Sequence, residues 1–268
     1  PSSLVGSEMC IRDRISPSAT SPGLTDLNDN GYFFRTAPSD ARGGQVLADI
    51  TKDRKVKSIA VTHTNNDYGK GLADVYVAAV KAHGINVTAV TAHEEGKGDY
   101  GAEVATLAAA GGDALAVLGY LDQAGGMIIQ GSLDSGAFDV FVLSDGMIGD
   151  SLTDRFGKDL NKSFGSLPGS TGKGAGKFAE VAKAGGIDSS GPYTGESYDA
   201  AALIALSMQA GGNADRGTIQ ANVMNVANAP GTKIYPGELK KALDLLAKGK
   251  KVNSVSYTHL TLPTIAGV

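Results

Sequence analysis

Between Lys57 and Asp145 the chain alternates short β-branched apolar runs with longer segments of helical period, and no other feature constrains the fold as tightly. "KSIAVTH" reads as a buried strand. The segment after it places Leu72, Val75, Tyr76, Ala79 and Val80 on one helical face, with Gly84 as the C-terminal stop. "INVTAV" is the next strand; Asp99 then stands at an N-cap position before a helix with Val104, Leu107 and Ala108 inward and Gly111 closing it. "ALAVLGY" and "VFVLSD" are the third and fourth strands, separated by a helix carrying Met127, Ile128 and Ile129. Strands joined by helical crossovers run parallel, so the expected lobe is an open α/β sheet with helices on both faces. From Gly149 to Gly157 the pattern loosens, which predicts a polar loop.

The remainder is patterned differently. After Pro168 the glycine-rich "GSTGKGAG" marks a crossing, followed by a helix, the turn "GPYTGES" and a long apolar helix from about Tyr198 to Ala210. No partner strands are visible for this part. "SPSATSP" and "YFFRTAPSD" near the start also lack a sheet of their own, so they are expected to join the later helices in a second lobe whose first strands lie upstream.

Both ends depart from this organisation. Met9 to Asp13, "MCIRD", can be encoded ATG TGT ATA AGA GAC, and the reverse complement, GTC TCT TAT ACA CAT, encodes Val-Ser-Tyr-Thr-His, which are residues 255 to 259. A DNA adapter ligated at both ends of a fragment produces this relation, and the string resembles the mosaic end of a transposase sequencing adapter. We therefore expect residues 1–14 and 255–268 to be adapter-derived and non-native, and the coding region between them to be truncated at both ends. Cys10 is the one cysteine of the chain. On this reading the body has no thiol for a disulfide or a metal site.

Composition then narrows the function. A formal net charge of -4 and a pI near 5.6 supply no basic stripe to displace counterions from phosphates, so no nucleic-acid partner is expected. No run approaches the roughly 18 apolar residues that a membrane span needs. "LPGSTGKG" imitates a phosphate loop, but Leu167 stands at the first glycine position and Gly174 at the position of the magnesium-binding Ser or Thr. The dinucleotide fingerprint fails at Lys177, and "GESYD" ends in Asp199, so no nucleophile elbow is present. His63, His83 and His93 lie apart without ligand spacing, and His259 falls in the adapter string. No catalytic residue, metal or cofactor is expected.

Ligands bind beyond the carboxyl ends of strands in open parallel sheets. Those positions hold Tyr68 after the first strand, Tyr120 after the third and Asp145 after the fourth. Two phenol rings and a carboxylate can form apolar walls with a counter-charge for an ammonium group. The same residues can equally be sheet-capping tyrosines and a turn-capping aspartate, and spacing alone leaves both readings open. "SPSAT", Ser16 to Thr20, offers hydroxyls and backbone N–H groups suited to a carboxylate, or an ordinary Ser/Pro turn.

With these segments located, the chain resembles the branched-chain amino-acid binding proteins of ABC transporters, the type I periplasmic binding proteins. The matching stretches are "ISPSATSPGLTD", "GYFFRTAPSD", "NNDYGKGLAD", "GPYTGESYDAAALIAL" and "PGTKIYPGELKKALDLL". The resemblance implies an α/β fold of two lobes with parallel sheets, the first lobe incomplete here. Residues 15–40 would be part of lobe 1, 41–168 lobe 2, 169–231 a return to lobe 1, and 232–254 a C-terminal crossover region. It further implies a ligand clamped in the cleft between the lobes. Ser18 and Thr20 would hold the amino acid's α-carboxylate or α-amino group, Tyr68 and Tyr120 would close over it, and Asp145 would accept from its ammonium. Tyr193 and Glu196 would lie at the hinge side, where a carboxylate favours polar or amide-bearing ligands; for Glu196 a charge facing the helix dipole is the competing reading. The implied protein is a non-catalytic, monomeric, periplasmic or extracytoplasmic receptor for a branched-chain or related amino acid, with ABC permease subunits as partners. A ligand-sensing domain of a regulator with the same fold is the alternative.

Overall fold

The computed structural model describes residues 14–170 and 172–254; Cys10, His259 and the two complementary strings lie outside the described residues. The chain divides into two compact units. Residues 14–19, 24–38 and 169–254 form the first, and residues 20–23 and 39–168 the second.

The second unit is built on a parallel sheet whose strands are β3 (Ser58–Thr64), β4 (Asn86–His93), β5 (Ala114–Leu118), β6 (Phe141–Leu143) and β7 (Phe164–Gly165), in the order β4-β3-β5-β6-β7. The crossovers are α1 (Asp40–Asp53), leading into β3, α2 (Asp67–Ala82), α3 (Gly101–Ala110) and α4 (Gly126–Ser135). Alternate residues of each strand feed two cores. On one face Ile59, Val61, Ala114, Ala116, Leu118 and Val142 pack with Leu47 of α1 and with Leu72, Tyr76 and Val80 of α2. On the other, Ala60, Leu115, Val117, Phe141 and Leu143 pack with Val104 and Leu107 of α3 and Ile128 and Ile129 of α4. Burying each such aliphatic side chain contributes about 1.5–3 kcal/mol, which makes this doubly covered sheet a rigid base for the loops at its edge. The buried Tyr76 hydroxyl, which would otherwise be costly, lies 2.9 Å from Thr51 Oγ1.

Three expectations about this unit are corrected. Ala108 is exposed, because α3 turns only the narrow Val104–Leu107 stripe toward the sheet. Tyr100, not Asp99, is the residue preceding α3, although Asp99 Oδ1 still accepts from the Gly101 N–H at 3.2 Å. The stretch expected to be a polar loop contains α5 (Asp150–Phe156), held to the core by Phe156 with Leu152 packed beside it. Two apolar residues are too few to raise a periodic signal.

In the first unit β1 (Arg14–Ser16) pairs with β2 (Phe33–Arg35), and β8 (Thr232–Ile234) with β9 (Val252–Ser254), both in parallel. The helices are α6 (Lys173–Ala184), α7 (Thr194–Gly211), α8 (Arg216–Ala227) and α9 (Leu239–Ala247). Leu203, Leu206, Val223, Val226, Ile234, Ala242 and Val252 form its core, with Ile15 and Phe34 packed against it. The later segments and the first ones therefore do have strand partners, as three-residue strands in two separate pairs, an incomplete sheet. Among the described residues no helix is long and apolar enough to cross a membrane.

The turn from β3 into α2 leaves no room at Gly69, where a Cβ would fall 2.3 Å from the Thr64 carbonyl oxygen and 2.6 Å from its Cγ2. Gly69→Ala is expected to destabilise the protein by about 1–3 kcal/mol, read as a lower denaturation midpoint at unchanged m-value.

Candidate functional site

The strand order fixes where a site can form. From β3 the chain crosses through α2 to β4 on one side and then returns to β5 on the other, so the connections part in opposite directions between β3 and β5. At such a switch point the carboxyl ends of adjacent strands leave a crevice. Residues following β3, β5 and β6 converge there.

Asn66 caps α2, its side chain accepting from the Gly69 N–H at 2.9 Å, and this places Tyr68 in the first turn of the helix. The Tyr68 hydroxyl donates to Asp145 Oδ1 at 2.6 Å and lies 3.1 Å from Ser144 Oγ, while the Gly146 N–H approaches the Tyr68 hydroxyl oxygen at 3.4 Å. Ser144 Oγ also accepts from the Gly119 N–H at 3.3 Å, tying the β5 and β6 ends together. The Tyr68 and Tyr120 ring centroids are 5.3 Å apart with planes at 30°. Asn66 Nδ2 reaches the Tyr120 hydroxyl at 3.5 Å. The structure thus brings Tyr68, Tyr120 and Asp145 into one cluster, as their strand-end positions led us to expect.

Sequence reasoning missed Asn66, Ser144 and Gly146. A Cβ on Gly146 would lie 2.4 Å from the Gly119 carbonyl oxygen, 3.1 Å from Tyr120 Cδ1 and 3.3 Å from the Tyr68 hydroxyl. The missing side chain is therefore what lets the three groups meet. The signal available in the sequence was the glycine directly after a strand-end aspartate, "SDGM".

Electrostatically the cluster combines one carboxylate with two neutral phenols. Burial, followed by the Asp145 charge and its hydrogen bond, pushes the Tyr68 phenol far above its ordinary range; burial does the same to Tyr120 more mildly. Both phenols keep their protons across physiological pH. Asp145 is only 8% exposed, so its charge acts in a partly desolvated setting, which suits a cation flanked by aromatic faces.

The other expected residues divide between the units. Thr20 belongs to the second unit and is buried; its carbonyl accepts from the Asp40 N–H at 2.8 Å, and the adjacent Ser21 Oγ donates to the Asp67 carbonyl at 3.1 Å, next to Tyr68. Ser18 belongs to the first unit and is exposed. Its N–H and that of Ala19 point at Ser16 Oγ, at 3.4 and 3.0 Å, so this turn already satisfies two of the donors that were expected to be open to a carboxylate.

Glu196 and Tyr193 also lie in the first unit, at the start of α7. Tyr193 precedes the helix with φ 59°, in the left-handed region uncommon for a non-glycine residue. The Glu196 carbonyl accepts from Thr36 Oγ1 at 2.9 Å, and the Thr36 N–H donates to the Ser16 carbonyl at 3.0 Å, so Thr36 ties the "SPSAT" turn to α7. Glu196 is 1% exposed, its Oε1 has no hydrogen bond among the described residues, and burial followed by the nearby Asp199 charge pushes its carboxyl up to about 7.

The histidines do other work. His83 pairs with Asp49 at 2.7 Å, His63 Nδ1 lies 3.0 Å from the Thr64 carbonyl, and His93 is buried beside Thr62. Among the described residues no group of three His, Cys, Asp or Glu side chains could hold a metal ion.

The comparisons with known proteins agree with this architecture. The family model described as "Receptor family ligand binding region" matches residues 14–151, just over half of the chain. The Leu/Ile/Val-binding protein homolog 3 of Brucella melitensis is 35% identical over 123 residues, covering 46% of this chain and 33% of that protein. A periplasmic binding protein type 1 from Bordetella pertussis superposes with a TM-score of 0.71 at 19% identity, covering 85% of this chain and 67% of that one. The branched-chain amino acid transporter substrate binding protein LivJ from Streptococcus pneumoniae, solved with isoleucine, gives 0.65 at 22% identity, with 81% and 62% covered. The chain spans between 33% and 58% of the length of the first curated relatives it matches. By its sequence match and its architecture, the chain belongs to the receptor family ligand binding region and has the α/β fold of the type I periplasmic binding proteins.

Proposed function

We propose that this protein is the solute-binding component of an ABC importer, taking up a branched-chain or related amino acid outside the cytoplasm and delivering it to a membrane permease. The observation that carries the reading is the hydrogen-bonded pair of Tyr68 and Asp145, with the Tyr120 ring against Tyr68, at the switch point of the parallel sheet. A buried carboxylate beside two phenol rings accepts an α-ammonium group by charge-assisted hydrogen bonds. Ser18, through its backbone, and Thr20, through its hydroxyl and N–H, are assigned to the ligand's α-carboxylate or α-amino group. Tyr193 and Glu196 are assigned to its side chain, where the partnerless Glu196 Oε1 favours an amide or other hydrogen-bond donor. The relatives named for leucine, isoleucine and valine support an amino-acid ligand, and no step of chemistry is required of any residue.

The receptor description of the matched family favours a second reading, a ligand-sensing domain of a regulator. Amino-acid uptake in cells carrying the partner permease separates the two. Uptake that depends on this protein supports transport, and ligand-dependent signalling without uptake supports sensing.

The site assignment is tested by calorimetric titration with leucine, isoleucine, valine, asparagine and glutamine. Asp145→Asn is expected to weaken binding by at least about 30-fold, because removing one partner of a buried charge pair costs ~2–5 kcal/mol. Tyr68→Phe, which removes the donor to Asp145, should cost about tenfold. Unchanged affinity in both variants sinks the assignment.

Glu196 predicts a pH dependence. Its folded-state pKa, near 7, lies above its ordinary value of 4.5, so between those values the folded protein holds a proton that the unfolded chain has released. Stability is therefore expected to fall as pH rises from about 4.5 to 7 and to level off above, by an amount on the order of 3 kcal/mol. Glu196→Gln should flatten that slope and raise the denaturation midpoint above pH 7; a slope unchanged by the substitution contradicts the assignment.

A further inference from the structure

We infer that Glu95 is a positioning residue for the aromatic wall: it holds the turn that carries Tyr120 and acts on the ligand through that ring. The inference rests on the role proposed above for Tyr120.

The chain leaves β5 through Gly119 and Tyr120 into Leu121–Gly125, a single wide helical turn in which Gln123 departs from helical geometry at φ -123° and ψ -138°. Such turns are frequent at functional sites and break the regular ladder. The Tyr120 carbonyl accepts from Gln123 and Gly125, at 3.3 and 3.1 Å, and the Ala124 N–H between them takes a partner from outside the turn. That partner is Glu95 Oε2, at 2.8 Å, reaching in from the residues after β4. Ala124 is buried, so loss of the carboxylate would leave its N–H unsatisfied.

The rest of the carboxylate is also fixed. Glu95 Oε1 is buried and lies 3.8 Å from Nε2 of His93, and neither atom has a hydrogen bond among the described residues. The His93 ring is wholly buried with its Nδ1 2.8 Å from Thr62 Oγ1, and a Cβ on Gly119 would approach its Nε2 within 3.2 Å. His93 thus backs both Glu95 and the residue preceding Tyr120. Gly125 completes the clamp, since a Cβ there would lie 2.4 Å from Met147 Sδ and 2.8 Å from the Tyr120 carbonyl oxygen. The Tyr120 ring is held at its hydroxyl by Asn66 and at its backbone by Glu95. Glu95 is half-buried, and the backbone bond it makes lies in the turn that aims the ring.

The test is a double-mutant cycle of Glu95→Ala and Tyr120→Ala, read by calorimetric titration with L-leucine, together with Glu95→Gln, which keeps an oxygen acceptor. Glu95→Ala should weaken binding about tenfold in the native background and less than about twofold in Tyr120→Ala, and Glu95→Gln should restore affinity to within about threefold of native. Native affinity in Glu95→Ala beside a loss in Tyr120→Ala overturns the role of Glu95 and leaves the site reading standing, as does strict additivity of the two. Native affinity in Tyr120→Ala overturns the site reading and this inference with it. Should Glu95→Ala fail to fold, amide exchange in the native protein decides: a protected Ala124 N–H supports the clamp, and exchange as fast as in exposed loops overturns it.

Discussion

A parallel strand pair needs a crossover that carries the chain back along the whole sheet, and in the second unit four helices lead into or connect the first strands. That requirement sets the remaining geometry. Because each helix lies over the sheet, both faces are covered and both sets of alternating strand residues are buried. Because β4 and β5 flank β3, the crossovers diverge at one edge and leave a crevice at the carboxyl ends. The residues that the strands deliver to that edge are the ones available for recognition.

Desolvation then gives these residues their chemical character. At the strand ends burial holds the Tyr68 and Tyr120 protons in place, so the cluster presents one carboxylate and two neutral hydroxyls. Its preference for a cation follows from that inventory. In the first unit the same force acts on Glu196 in the same direction: burial and the nearby Asp199 charge outweigh a backbone hydrogen bond, and the carboxyl rises to about 7. The buried carboxyl groups of the described residues thus differ in environment: Asp145 is hydrogen-bonded by a phenol, and Glu196 Oε1 has no partner among the described residues.

How much could be read beforehand depended on the range of each interaction. Buried parallel strands such as "ALAVL", apolar throughout, and "SIAVTHT", with its Ile59–Val61 run followed by β-branched Thr62, stand out in any window. The strands β1, β2, β8 and β9 have three residues each, too short for a period-two pattern, and they escaped notice. Tyr68, Tyr120 and Asp145 were legible because strand-end positions are predictable once the strands are. Asn66, Ser144, Gly146 and Glu95 were not, since their partners lie 29 to 78 residues away: Ala124 for Glu95, Tyr120 for Asn66, Tyr68 for Ser144 and Gly146. The roles assigned to Ser18, Thr20, Tyr193 and Glu196 came from family resemblance, which no local pattern could have supplied.

By itself the sequence determined the α/β class, the parallel direction of the long strands, the inward face of α2, and the set of groups standing at the strand ends. These follow from periodicity and from the length of the crossovers, both local properties. Tertiary structure alone decided that β5 lies between β3 and β6, that Gly146 leaves the space in which Tyr68, Tyr120 and Asp145 meet, and that Tyr68 bonds Asp145 while Asn66 bonds Tyr120. The reason is physical: hydrogen bonds and close packing between residues far apart in the chain depend on strand order, and strand order is settled by which faces can be buried together.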